Sequence, residues 1–175
     1  MSIGVKENKS VSGLLSFLNG RPVVFDVGSN KGHFSDIIMD EFGQECDLHF
    51  FEPVEILINY TRIKYEYHKN ITYNQVAAYK ENTDIDFYYF DNFNNELSSI
   101  YKGEDWGDLP MKTKKVAAIK IDTYCKSKGI KYIDFLKIDA EGADIDCLTG
   151  ATGLLNTGNI GVVQIEYGSH YKRSN

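Results

Sequence analysis

Short apolar runs rich in β-branched and aromatic residues recur along this chain, and segments with helical spacing separate them. Residues 22–27 (PVVFDV) form the first run, which stops at Gly28. Phe34, Ile37, Ile38 and Phe42 then fall on one helical face over about 31–42. A second run at 48–51 ends at Glu52-Pro53, and proline suits the first position of a helix. Ile56, Leu57, Tyr60, Ile63 and Tyr67 make the next helical stripe, and 71–76 reads as a third strand. Further strands are predicted at 85–90, 116–121, 132–138 and 160–167. Short helices are predicted after Asp122, which would cap the first of them, and over 143–148, with another piece to Leu155. Such alternation predicts an α/β architecture with a mostly parallel central sheet and helices on both faces. Strands that are apolar throughout fit a sheet covered on both sides.

The chain has 175 residues, enough for one domain. Residues 1–20 read as a polar segment with a short helix (Val11, Leu14, Leu15, Leu18, stopped by Gly20), and 21–175 as the α/β domain. A 42% hydrophobic content supplies a sizeable core and excludes wholesale disorder. Nineteen basic against twenty-five acidic residues leave a net charge of −6, which argues against a nucleic-acid partner. No apolar run reaches the roughly 18–20 residues of a membrane span, and the polar start lacks a secretory core, so a cytoplasmic protein is expected. Cys46, Cys125 and Cys147 are far apart and form no Cys-x-x-Cys pair, which points to buried thiols.

Acidic residues fall at the ends of predicted strands: Asp26 in the first, Glu52 after the second, Asp139 and Glu141 after a later one, Glu166 near the last. In a parallel sheet these acids gather on one rim, where ligands of α/β sheets bind. The loop at 26–32, DVGSNKG, joins strand to helix, and Gly28 and Gly32 let the backbone turn tightly beside a bound molecule. Glu52, about twenty residues on, is placed to accept both hydroxyls of a ribose. Charge separates the possible nucleosides. A dinucleotide loop reads Gly-x-Gly-x-x-Gly and sets pyrophosphate on a helix N-terminus. Here the spacing is Gly-x-x-x-Gly, and Asp26 just before it would oppose pyrophosphate but suit the ammonium end of S-adenosylmethionine. A methyl donor is therefore favoured over a nicotinamide dinucleotide.

Five blocks in order resemble the FkbM-type S-adenosylmethionine-dependent methyltransferases: FDVGSNKG (25–32) with Ser35, FFEP (50–53), IDT (121–123), IDFLKIDAEG (133–142) and VQIEY (163–167). The resemblance runs from about residue 23 to 167 and implies a Rossmann-like class I methyltransferase fold that methylates hydroxyls of sugars or natural products. It implies that Asp26, Gly28, Ser29, Asn30 and Gly32 line the methionine end of the cofactor. Glu52 would bind the ribose, Pro53 would shape the wall near the adenine, and residues 74–77, with Val76 and Ala77, would contact the adenine. Asp139 and Glu141 would face the methyl group and the acceptor.

Class I methyltransferases continue past the strand at 163–167 into an antiparallel pair, and residues 168–175 are too few to supply it. The pair is thus expected to be truncated: either the sequence is a fragment, the protein is a short variant, or a second copy or partner chain covers the exposed sheet edge. A sugar hydroxyl is a weak acid, so a general base helps: Asp139 first, Glu141 second, His33 third. Asp139 and Glu141 as a divalent-cation site is the less favoured alternative, so no metal ligand is assigned. Tyr88, Tyr89, Phe90, Phe93, Tyr101 and Trp106 offer either a platform for a sugar ring or core filling. A cofactor-binding module without catalysis remains the second functional class.

Overall fold

A computed structural model describes residues 13, 15–90, 98–101 and 111–165. Five strands form one parallel sheet: β1 (Val23–Val27), β2 (Asp47–Phe51), β3 (Ile71–Asn74), β7 (Ile133–Ile138) and β8 (Ile160–Ile165), in the order β3-β2-β1-β7-β8. Between them run α1 (His33–Phe42), α2 (Glu55–Lys64), α3 (Ile121–Lys128), α4 (Asp144–Thr149) and α5 (Thr152–Asn156). The expected α/β architecture with a mostly parallel sheet is present.

Side-chain alternation in the strands explains why helices lie on both faces. Val24, Leu48, Phe50 and Phe135 pack with Phe34 and Ile38 of α1 and Ile58 of α2. Phe25, Val27, Phe51, Leu136 and Ile138 point the other way, against Ile121, Tyr124 and Cys125 of α3 and Cys147 of α4. Each fully buried phenylalanine in this sandwich contributes roughly 1.5–3 kcal/mol. The three cysteines are buried free thiols, as expected. Leu15, from the expected N-terminal helix, is buried in the α1 side of the core.

A second, three-stranded sheet was not foreseen. Its order is β4-β6-β5, from Ala77–Ala78, Met111–Ile119 and Thr83–Phe90. The strand expected at 116–121 starts five residues earlier, because Met111 to Lys115 pair antiparallel with Asp86 to Phe90. Such a ribbon is solvated on one side, so the Lys-rich stretch carries no apolar run to announce it. The same strand ends at Ile119, since Ile121 already opens α3. Asp122 does not cap that helix. Its carboxylate accepts the N–H groups of Gly153 (2.8 Å) and Leu154 (3.0 Å), in the first turn of α5. Val54 and Leu57 pack against Ala77, Phe87, Val116 and Ala118, which fixes the small sheet beside the carboxyl ends of the large one.

Candidate functional site

Strand register builds the site. Val27 pairs with Phe51 on one side and Ile138 on the other, so β1, β2 and β7 end at one level. Gly28, Glu52 and Asp139 are the next residues of their strands and step off that edge together. The strand order changes direction here, at the place where α/β sheets bind ligands. Between this edge and the small sheet lies an open cleft, lined by residues of both.

Glu52 and Pro53 line the cleft on the β2 side, with Leu57, Ala77 and Phe87 beside them. Gly28 and Asn30 come from the glycine loop, and Asp139, Ala140 and Glu141 from the end of β7. Asp26, Ser29, Gly32, Val76 and His33 are not among the lining residues. Among the described residues the lining carries three acids and no lysine or arginine.

Glu52 is 5% exposed, and its carboxylate accepts N–H bonds from Val54 (2.9 Å, Oε1) and Asn30 (3.0 Å, Oε2). It therefore ties the glycine loop to the start of α2. Burial outweighs those two bonds and pushes its pKa up to about 7. A carboxylate has about four lone-pair directions, so two backbone donors leave acceptor capacity for a ligand.

The loop glycines are required chiefly by the protein itself. Gly28 has φ 70°, and a Cβ there would sit 1.9 Å from the Asp139 carbonyl oxygen. Gly32 has φ 76° and caps α1, and a Cβ would meet the Tyr65 hydroxyl, which donates to the Gly32 carbonyl at 2.8 Å.

Asp26 lies behind the cleft wall. It is fully buried, accepts the Ser35 hydroxyl at 2.6 Å through Oδ2, and presents Oδ1 to the Lys137 ammonium at 3.3 Å. Charge at the end of a core strand demands such a partner. Lys137 in turn reaches Asp139 Oδ2 (3.2 Å) and the Gly28 carbonyl (3.2 Å). This lysine lies inside the IDFLKIDAEG block, and no role for it follows from the sequence. Its signal was a lone cation in an otherwise apolar strand, IDFLKI.

Glu141 stands on a tight turn with φ 49°, a left-handed conformation that costs a non-glycine residue free energy and often marks a functional site. Neighbours hold the turn. Asp144 accepts the N–H groups of Ala140 (3.4 Å) and Gly142 (3.2 Å), and Ser99 donates its hydroxyl to the Glu141 carbonyl (2.8 Å). Ser98 and Ile100, beside Ser99, also line the cleft. Among the described residues no three His, Cys, Asp or Glu side chains form a metal-holding group.

Of the other candidates, His33 is exposed at the start of α1. Phe90 is buried, Tyr88 and Tyr89 are half-buried, and the Tyr101 hydroxyl donates to Asp146. Phe93, Trp106 and Glu166 lie outside the described residues. Among the described residues no helix is long and apolar enough to cross a membrane.

The methyltransferase FkbM domain family matches residues 26–174. No curated protein and no solved structure matches the chain.

Proposed function

The chain belongs to the FkbM methyltransferase family, and from that premise we propose that it transfers a methyl group from S-adenosyl-L-methionine to a hydroxyl of a sugar, glycan or natural product. The observation that carries this is the charge of the cleft: Glu52, Asp139 and Glu141 line it, and no described basic side chain does. With one ammonium, Lys137, behind Asp139, the cleft is still negative on balance, which favours a sulfonium cofactor over the pyrophosphate of a nicotinamide dinucleotide.

The residues fit that cofactor. Glu52 has acceptor capacity left for ribose hydroxyls, and Pro53, Leu57, Ala77 and Phe87 offer apolar surface for a flat purine. Gly28 and Asn30 bring the loop backbone to the cleft beside Asp139, where the methionine end would lie. Asp26 supports that end from behind the wall, with Gly32 and Ser29 shaping the loop, and Val76 packs into the core of the large sheet.

When bound, the cofactor supplies a methyl group already made electrophilic by its sulfonium. The protein's part is to hold the acceptor oxygen in line, and ordering of this kind is worth several kcal/mol. Glu141, on its braced turn, and Asp139 are the two carboxylates at the end of β7 that line the cleft, and one of them accepts the hydroxyl proton in this reading.

Calorimetric titration with S-adenosylmethionine and S-adenosylhomocysteine tests the cofactor, and methyl transfer from labelled donor to a panel of glycans and small hydroxyl compounds tests the reaction. Both ligands should bind in the micromolar range typical of enzyme substrates. Failure of both to bind would reject the proposal.

A further inference from the structure

One side chain in this region is neither in the cleft nor explained by packing. Lys137 is a cation in the middle of a five-stranded sheet, its side chain 11% exposed. Such a residue is costly unless its charge is answered. Three oxygens within 3.3 Å surround its ammonium: Asp26 Oδ1, Asp139 Oδ2 and the Gly28 carbonyl. The Gly28 carbonyl accepts a hydrogen bond from it, and the two carboxylates are its ion-pair partners. These oxygens belong to three parts of the site: the end of β1, the glycine loop and the end of β7.

The two ends of this bridge differ. Asp26 is fully buried, and Oδ1 makes no hydrogen bond, so the ammonium is what answers its charge. The Asp139 side chain is 38% exposed and lines the cleft. Lys137 pairs with Oδ2 of Asp139, the one carboxylate of the pair that also lines the cleft. Burial alone would lower the Lys137 pKa, yet Asp26 and Asp139 outweigh it and raise it, so the bridge stays charged. Two carboxylates against one ammonium leave one negative charge, and the exposed member of the trio is Asp139.

We infer that Lys137 is a positioning residue: it locks the Asp139 carboxylate against the glycine loop so that the remaining negative charge faces the cationic methionine end of the cofactor. The inference rests on the cofactor reading above and refines it. Asp139 then serves cofactor binding, and proton acceptance falls to Glu141. Purine and ribose contacts belong to the Glu52 side of the cleft, where the Asp26 and Lys137 charges act in opposite directions, so removing both together leaves that side nearly independent of the bridge.

That independence supplies the test. Lys137→Met alone strands Asp26, so it is paired with Lys137→Met/Asp26→Asn, which removes both buried charges and keeps an acceptor for Ser35. Calorimetry on the full chain compares S-adenosylmethionine with 5′-methylthioadenosine, which has the nucleoside but no amino-acid end. In the double variant, affinity for S-adenosylmethionine should fall about tenfold or more, as expected for losing an aligned charge-assisted contact, while methylthioadenosine stays within about twofold. A parallel loss of both ligands would assign Lys137 a purely structural role and overturn the inference, as would unchanged affinity for both. Wild-type protein that binds methylthioadenosine and S-adenosylmethionine equally well would overturn it too. Wild-type protein that binds neither would reject the cofactor reading itself.

Discussion

Lys137 stands opposite Asp26 in the β1–β7 register, and its ammonium lies 3.3 Å from the Asp26 carboxylate at the centre of the sheet. The two charges are adjacent because parallel pairing aligns the fourth residue of β1 with the fifth of β7. A pair buried this deeply affects stability unequally when its members are removed.

Lys137→Met leaves Asp26 buried without a counter-charge and should cost about 3–5 kcal/mol. Asp26→Asn leaves Lys137 with Asp139 and Gly28, keeps an oxygen for Ser35, and should cost less, about 1–3 kcal/mol. Urea unfolding of both variants at neutral pH measures the difference. Equal losses would mean that Asp139 does not share the ammonium.

Gly28→Ala tests the contact between the glycine loop and β7. A Cβ at Gly28 would lie 1.9 Å from the Asp139 carbonyl oxygen, and φ 70° adds about 1–2 kcal/mol of its own. The loop and the end of β7 must separate, so thermal stability and S-adenosylmethionine affinity should fall together. Gly43, also at positive φ but with open space around it, provides the comparison. Its alanine variant should lose only the conformational part and bind normally.

The Glu52 pKa, raised to about 7 by burial, makes ligand binding depend on pH. Below pH 7 the free carboxyl is protonated and has lost acceptor capacity, so adenosyl ligands should bind more weakly as pH falls from 8 to 6. Binding at pH 6 should also release a proton, visible as a dependence of the calorimetric enthalpy on buffer. Glu52→Gln should remove both effects. Affinity in the wild type that does not change across this range would take Glu52 away from the ribose.

His49 and Glu52 also shape stability, in opposite directions. Burial lowers the His49 pKa to about 4 from 6.5, and its ring bonds the Tyr124 hydroxyl at 2.7 Å. Between pH 6.5 and 4 the unfolded chain binds a proton that folded His49 refuses, so stability falls as pH falls. Between pH 4.5 and 7 folded Glu52 keeps a proton the unfolded chain has lost, so stability falls as pH rises. Over pH 4.5–6.5 the two slopes, each about 1.4 kcal/mol per unit, nearly cancel. His49→Gln removes one of them. Relative to wild type, the variant should gain stability steadily from pH 6.5 down to 4, as followed by urea unfolding. A constant difference between the two proteins would show that His49 does not titrate in this way.

Much of this arrangement was legible in the chain, for a definable reason. Apolar runs ending at Gly28, Glu52 and Asp139 mark strands buried on both faces, and parallel pairing then brings their ends to one rim. What escaped were features that depend on partners far away in sequence. The lysine-rich half of β6 is a strand only because β5 pairs with it. Asp122 precedes a helical pattern, yet its carboxylate serves α5, thirty residues away. Asp26 was expected at the cofactor, but the inward face of β1 sets it behind the wall, where Lys137 answers it. Glycine spacing suggests room for a ligand, whereas Gly28 first of all makes room for the Asp139 backbone.

Glu141 and Asp139 sit two residues apart at the lip of the cleft, and kinetics should tell their roles apart. Glu141 stands on a turn that Asp144 and Ser99 hold through backbone atoms, and Glu141→Gln keeps those contacts. Loss of a general base typically costs about 100- to 10,000-fold in rate. Glu141→Gln should therefore lower kcat by at least about a hundredfold, with little change in cofactor affinity. Asp139→Asn keeps its shape but loses the charge held by Lys137, so its main effect should be a higher KM for S-adenosylmethionine. The distinction needs a hydroxyl acceptor that turns over, followed at saturating acceptor with the cofactor varied, and with S-adenosylhomocysteine affinity measured independently. If Asp139→Asn instead abolishes turnover at unchanged cofactor affinity while Glu141→Gln stays active, the proton goes to Asp139. Lys137 would then be orienting a base rather than a cofactor ligand.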